Sequence, residues 1–157
     1  MLSDLLPTIT AIEQSALGAA ARNATWIYPL ANLGHVLGAA LLVGAIVALD
    51  VKLLRGTALA GAVARAAIPV AAVGLVLQFV TGVVLFSAEA VALSRNPAFL
   101  LKMVVLVLGL ANIAFFHWRF GAALRQEKPL AGARPLAALS LGSWVTVLLA
   151  GRAIAYL

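Results

Sequence analysis

The chain has no cysteine. That removes disulfides, thiolate metal sites, Cys-ligated iron–sulfur clusters and a Cys nucleophile. Charge is scarce as well: 10% of the 157 residues are charged, eleven basic and five acidic, where a soluble domain carries about 25%. So few charges cannot clothe a water-facing surface on a chain that is 64% hydrophobic. A soluble enzyme, a disordered tail and a nucleic-acid-binding domain are excluded as first readings. The net charge of +6 does not restore the last of these, because the basic residues lie scattered at segment ends and form no patch. No nucleic-acid partner is expected. Methionine is nearly absent, at positions 1 and 103 only. Without cysteine or a methionine cluster there is no soft donor set for Cu(I), and no copper site is expected.

Long apolar runs are what the chain does contain, and its mean hydropathy is +1.11. A helix needs about 20 mostly apolar residues to cross a bilayer core of about 30 Å. Four segments meet that length, roughly 27–52, 64–88, 97–118 and 135–156. Pro135 suits the first turn of the fourth, and Asn96-Pro97 the start of the third. Short connections make consecutive helices antiparallel neighbours. The expected fold is all-α: an integral membrane four-helix bundle forming a single domain over 1–157, with the lipid bilayer as its first partner. Basic residues favour one side. Lys52, Arg55, Arg65, Arg119, Arg125, Lys128 and Arg134 flank the joints after the first and third spans, against Arg22, Arg95, Lys102 and Arg152 on the other side. By the positive-inside rule the first group is cytoplasmic and both termini lie outside, as in a multi-pass protein of a bacterial inner membrane.

Ahead of the spans, Leu2, Leu5, Leu6, Ile9, Ile12, Ala16, Leu17 and Ala20 recur at helical spacing, with polar residues between them. This predicts an amphipathic helix over 2–22 lying along the outer interface. It serves as an anchor or lid, or as a docking surface. It has no basic n-region and no continuous apolar stretch, so a cleaved signal peptide is not expected. Trp26 and Tyr28 fit an aromatic belt at the start of the first span.

Ionisable side chains inside a span are costly, from about 2.5 kcal/mol upward for Lys or Arg near the centre, so their depths are informative. At about 1.5 Å per residue, His35 lies ~12 Å below the outer boundary, Gln78 ~15 Å, Lys102 ~8 Å and Arg152 ~6 Å. Four spans thus offer one polar group each to the same half of the bundle, the cations above the imidazole and the amide. That layering suits an amphiphilic ligand with an apolar body and anionic ends, such as haem b. His35 would be an axial iron ligand, with Lys102 and Arg152 toward the propionates. Gly34, Gly38, Gly74 and Gly82 either let a flat macrocycle approach or let two helices approach. His117 is ~18 Å deeper than His35, whereas two axial nitrogens on one iron are about 4 Å apart. His117 is therefore a possible second metal site rather than a partner of His35. The second ligand at His35 is left to Lys102, to Gln78, to a second subunit or to none. The plainer alternatives are a His35 hydrogen bond to a carbonyl or to a hydroxyl such as Thr81, a snorkelling Lys102 or its pairing with Glu89, and an end-of-span pair of Asp50 with His117 or Arg119.

Two stretches carry a resemblance. One holds Gly34-His35-Val36-Leu37-Gly38 and Asp50-Val51-Lys52-Leu53-Leu54. The other runs from Asn96-Pro97-Ala98-Phe99-Leu100-Leu101-Lys102-Met103 to Asn112, Phe116 and His117. Together they resemble an uncharacterised bacterial family of small four-span inner-membrane proteins. More distantly, the layout is similar to the haem-b membrane protoporphyrinogen oxidases and to CopD-like membrane proteins. The resemblance to the oxidases implies a haem site containing a His of the first span and a Lys early in a later span, by position His35 and Lys102. The chain lacks that group's basic and aromatic signature after the first span. The expectation is a haem-b protein with a redox role, electron transfer or haem-linked oxidation. The alternatives are a non-catalytic subunit or scaffold and, third, a small transporter. A homo-oligomer or a larger membrane complex is expected from the small interior.

Overall fold

A computed structural model describes residues 2–56, 60–126, 130 and 132–157; Lys128 of the second basic joint lies outside them. The described residues form α1 (Leu2–Glu13), α2 (Ala16–Asn23), α3 (Ile27–Arg55), α4 (Ala60–Ala88), α5 (Ala90–Arg95), α6 (Pro97–Arg125) and α7 (Arg134–Ala153), which runs on into a 3-10 turn, Ile154–Tyr156. Among them there is no strand. Helices α3, α4 and α6 are 29 residues each, which at about 1.5 Å per residue is ~43 Å of helix, more than the bilayer core requires. The α7 helix with its final turn makes 23. These four pack as a bundle. Their outward faces carry exposed Val36, Phe79, Val80, Val104, Val107 and Leu149, a rim that water would not tolerate and lipid tails do. The chain is a multi-pass membrane protein by this arrangement.

Local sequence explains where the helices begin and end. The Asn96 side chain accepts from the Phe99 amide at 3.1 Å, and Pro97 occupies the first turn, where its missing N–H costs nothing. Gly56, at φ 65°, closes α3 in the left-handed conformation that a side chain would resist. The long helices overrun their predicted limits at the end of the bundle opposite α1, reaching Arg55 and Arg125 and starting at Ala60. Flanking Arg and Lys continue a helix readily in the headgroup zone and in water.

The segment 2–22 differs from a single interfacial helix. It breaks at Gln14-Ser15, where the Ser15 hydroxyl donates to the Ile12 carbonyl at 2.6 Å and accepts from the Gly18 amide at 3.2 Å. One serine thus closes α1 and caps α2. The pair lies across the end of the bundle where α4 gives way to α5. There Glu13 accepts from the Val91 amide at 2.8 Å, and Arg22 donates to the Ala88 carbonyl at 3.0 Å. An acid meets a helix start and a base meets a helix end, as the helix dipole favours. Phe86 and Phe99 stack alongside, ring centroids 5.6 Å apart.

Helices α3 and α4 make the closest pair. A Cβ at Gly74 would stand 2.5 Å from the Leu42 amide nitrogen, and one at Gly38 would stand 3.0 Å from the Gly74 carbonyl. Both glycines are needed for this backbone approach. Helices α6 and α7 form the second pair, joined to the first mainly through α3 and α7, while α4 and α6 touch little. Trp144, 1% exposed, fills the middle with Leu42, Val43 and Ile46. Leu53, Ala64, Phe116, Phe120, Leu124 and Ala137 fill the end away from α1.

Candidate functional site

Three of the four polar groups predicted to share a level come together. The His35 imidazole on α3 has Nδ1 3.0 Å from Thr81 Oγ1 on α4. The Thr81 hydroxyl donates to the Leu77 carbonyl one turn back, at 2.6 Å. Having given its proton to that carbonyl, the hydroxyl accepts from Nδ1–H. This fixes the tautomer: the lone pair is on Nε2. Lys102 on α6 meets it there, with Nζ 3.4 Å from Nε2. The Gln78 amide donates to the His35 backbone carbonyl. A proton-consistent chain therefore runs from the ammonium through the imidazole and the hydroxyl to a helix carbonyl.

The surroundings are small. A Cβ at Gly82 would be 3.4 Å from His35 Cε1, and one at Gly151 on α7 would be 3.7 Å from Lys102 Nζ. His35, Gln78 and Lys102 are half-buried and Thr81 is buried. Lys102 thus points between α3 and α7, toward His35, rather than outward to water or to Glu89. Gly38 faces the backbone of Gly74 and Gln78, so its small size serves helix contact.

Arg152 stands apart. It is exposed, donates to the Tyr156 hydroxyl at 2.6 Å and lies 5.0 Å from that ring's centre. It makes a local clasp on the last turn instead of joining the rim above His35. His117 is exposed and its Nδ1 donates to the Ile113 carbonyl at 2.9 Å. Asp50 receives the Ser140 hydroxyl from α7 rather than His117. Arg119 covers the Phe120 ring at 5.1 Å. Among the described residues no three His, Asp or Glu side chains gather as a metal cluster.

Sequence reasoning found the level of His35 and Lys102, and offered Thr81 as one hydrogen-bond partner. It did not find Gly151 beside Lys102 or Ser140 on Asp50, since a depth along each helix says nothing about rotation around it. Comparison with known family models, curated proteins and solved structures returns no match.

Proposed function

We propose that this chain is a haem-b-binding membrane protein with a redox role, the haem being held by His35 and Lys102 in the half of the bundle nearer α1. The observation that carries the reading is the fixed imidazole. A histidine that ligates a metal commonly gives its other ring N–H to an oxygen acceptor, which sets the tautomer and the ring orientation. The Thr81–Leu77 relay does that for His35 and leaves Nε2 as a lone pair. A second nitrogen, Lys102 Nζ, faces it at 3.4 Å, close to the separation of about 4 Å that two nitrogen ligands of one iron require. The imidazole is a usual donor to haem iron, which would supply one-electron chemistry, and Lys102 is the nitrogen nearest to it. Gly82 and Gly151 lie directly against the two side chains, with no Cβ of their own between. Arg152, turned to Tyr156, is not needed by this reading.

Orientation belongs to the same proposal. The excess of Lys and Arg at the end opposite α1 sets that end in the cytoplasm of a bacterial inner membrane, with α1, α2 and the His35–Lys102 pair in the outer half.

A second reading has its own support. The same closed hydrogen-bond chain ties α3, α4 and α6 together, which is the work of a packing pin in a non-catalytic subunit. One experiment separates the two: haem is added to the detergent-purified protein and the visible spectrum recorded. A Soret band that vanishes in His35→Ala and shifts in Lys102→Met supports the haem reading. Absence of any Soret band from folded wild-type protein ends it and leaves the packing role.

A further inference from the structure

A second polar site lies on α3, four turns from His35 and independent of it. Near the end of the bundle away from α1 there is a cavity of about 190 Å³. Its walls come from all four long helices and are mostly aliphatic, including Ile46, Leu49, Ile68, Ala71 and Leu75. Into this apolar wall are set Asp50 of α3, Asn112 of α6 and Ser140 of α7, which are 5%, 6% and 5% exposed. The Ser140 hydroxyl serves Asp50 and the Asn112 amide N–H donates to the Leu136 carbonyl at 3.0 Å. Two oxygens remain without partners, Asp50 Oδ2 and Asn112 Oδ1.

Both orphans are acceptors, and one belongs to an acid. The site thus leaves these two oxygens without a donor, and no Lys or Arg lines it. A buried carboxylate without a countercharge is expensive, and an ionisable residue at membrane depth marks a functional site by default. His117 is the other titratable side chain on the cavity wall. It is exposed and its Nδ1–H is engaged by the Ile113 carbonyl. The wall residues from α4 and α7 carry no charge.

We infer that this cavity binds a small aliphatic ammonium ion. Its N–H groups would donate to Asp50 and Asn112 while its alkyl chain rests on the aliphatic wall. A bare metal cation fits less well: after Asp50, Asn112 and Ser140 its remaining ligands would be waters pressed against hydrocarbon. Size agrees, since an apolar protein cavity of about 150 Å³ accommodates benzene, and a ligand of about six heavy atoms fills a comparable space.

The test is a thermal-unfolding titration of the full chain in nonionic detergent with n-pentylammonium. 1-Pentanol serves as the uncharged control and sodium chloride as the ionic one. Saturable stabilisation by the ammonium alone is expected, with apparent affinity at least about tenfold weaker in Asp50→Asn and reduced in Asn112→Leu. Should Asp50→Asn fail to fold, infrared difference spectra of the wild type decide instead, through a shift of a carboxylate stretch on adding n-pentylammonium. An equal response to pentanol or to sodium overturns the assignment. So does an unaltered response in Asp50→Asn, a protonated-carboxyl band indifferent to the ammonium, or no response at all.

Discussion

At the scale of single residues, the tautomer of His35 is the property on which the redox reading turns. Thr81 can accept from Nδ1 because its own proton is committed to Leu77. Removing that hydroxyl in Thr81→Val leaves a half-buried ring N–H without its acceptor, at a cost of up to about 1 kcal/mol. We expect lower thermal stability in detergent and, in haem-supplemented protein, a weakened Soret band. A valine variant that keeps both wild-type stability and wild-type pigment shows that the relay is unimportant. The sequence made part of this site legible. His35 and Lys102 each stand inside an apolar run, and the constant rise of a helix converts their positions into depth. Arg152 shows the limit of that conversion. Its depth matched the others, yet it sits on the exposed side of α7 and reaches its own Tyr156. Rotation about the helix axis could not be read, because spans that are apolar on every face give no periodic signal for which side faces inward.

At the scale of helices, the crossing of α3 and α4 depends on missing side chains. In Gly74→Leu the new side chain would run into the α3 backbone at Leu42, and overpacking of this kind costs about 1–3 kcal/mol. Gly142 on α7 is the contrasting case, exposed and with open space around a would-be Cβ. There Gly142→Ala should stabilise by up to about 1 kcal/mol through helix propensity alone. Unfolding of the two variants side by side should show opposite signs. A Gly74→Leu protein as stable as wild type means the tight crossing does not form. The four spans themselves were plain in the sequence, since only long apolar runs satisfy both the length and the composition of a crossing. The break in the first helix was not. Ser15 splits it through two local hydrogen bonds, and serine also sits harmlessly within helices, so composition alone gives no boundary there. Helix α5 was invisible for a related reason: six residues are too few for a periodic pattern, and its start is completed by Glu13 from far upstream.

The latch made by Glu13 and Arg22 joins that element scale to the next. In Glu13→Ala the Val91 amide loses its acceptor and α1 loses that polar tie to the bundle. Protease cleavage between α1 and α2 should then become faster while the four long helices stay intact. An unchanged digestion pattern would show that apolar contact alone holds α1 in place.

At the scale of the whole molecule, the lack of cysteine makes sidedness measurable without background. Thr25, between α2 and α3, and Gln126, just past α6, are both exposed and stand at opposite ends of the bundle. Under the proposed orientation, a membrane-impermeant maleimide applied to spheroplasts labels Thr25→Cys at once and Gln126→Cys only after lysis. The physical cause is the surplus of Lys and Arg beside Gln126, which resists translocation, whereas the end bearing α1 carries fewer cations. The reverse pattern would invert the molecule and move the His35–Lys102 pair to the cytoplasmic half, with the four crossings intact. Labelling of both positions from one side would contradict the four crossings themselves, because an odd number of spans between residues 25 and 126 is what separates them. The two sites also differ in access under this orientation. His35 and Lys102 then draw on the outer face, while the cavity at Asp50 lies nearer the cytoplasm, so reagents confined to one side should distinguish pigment chemistry from ammonium binding in intact membranes.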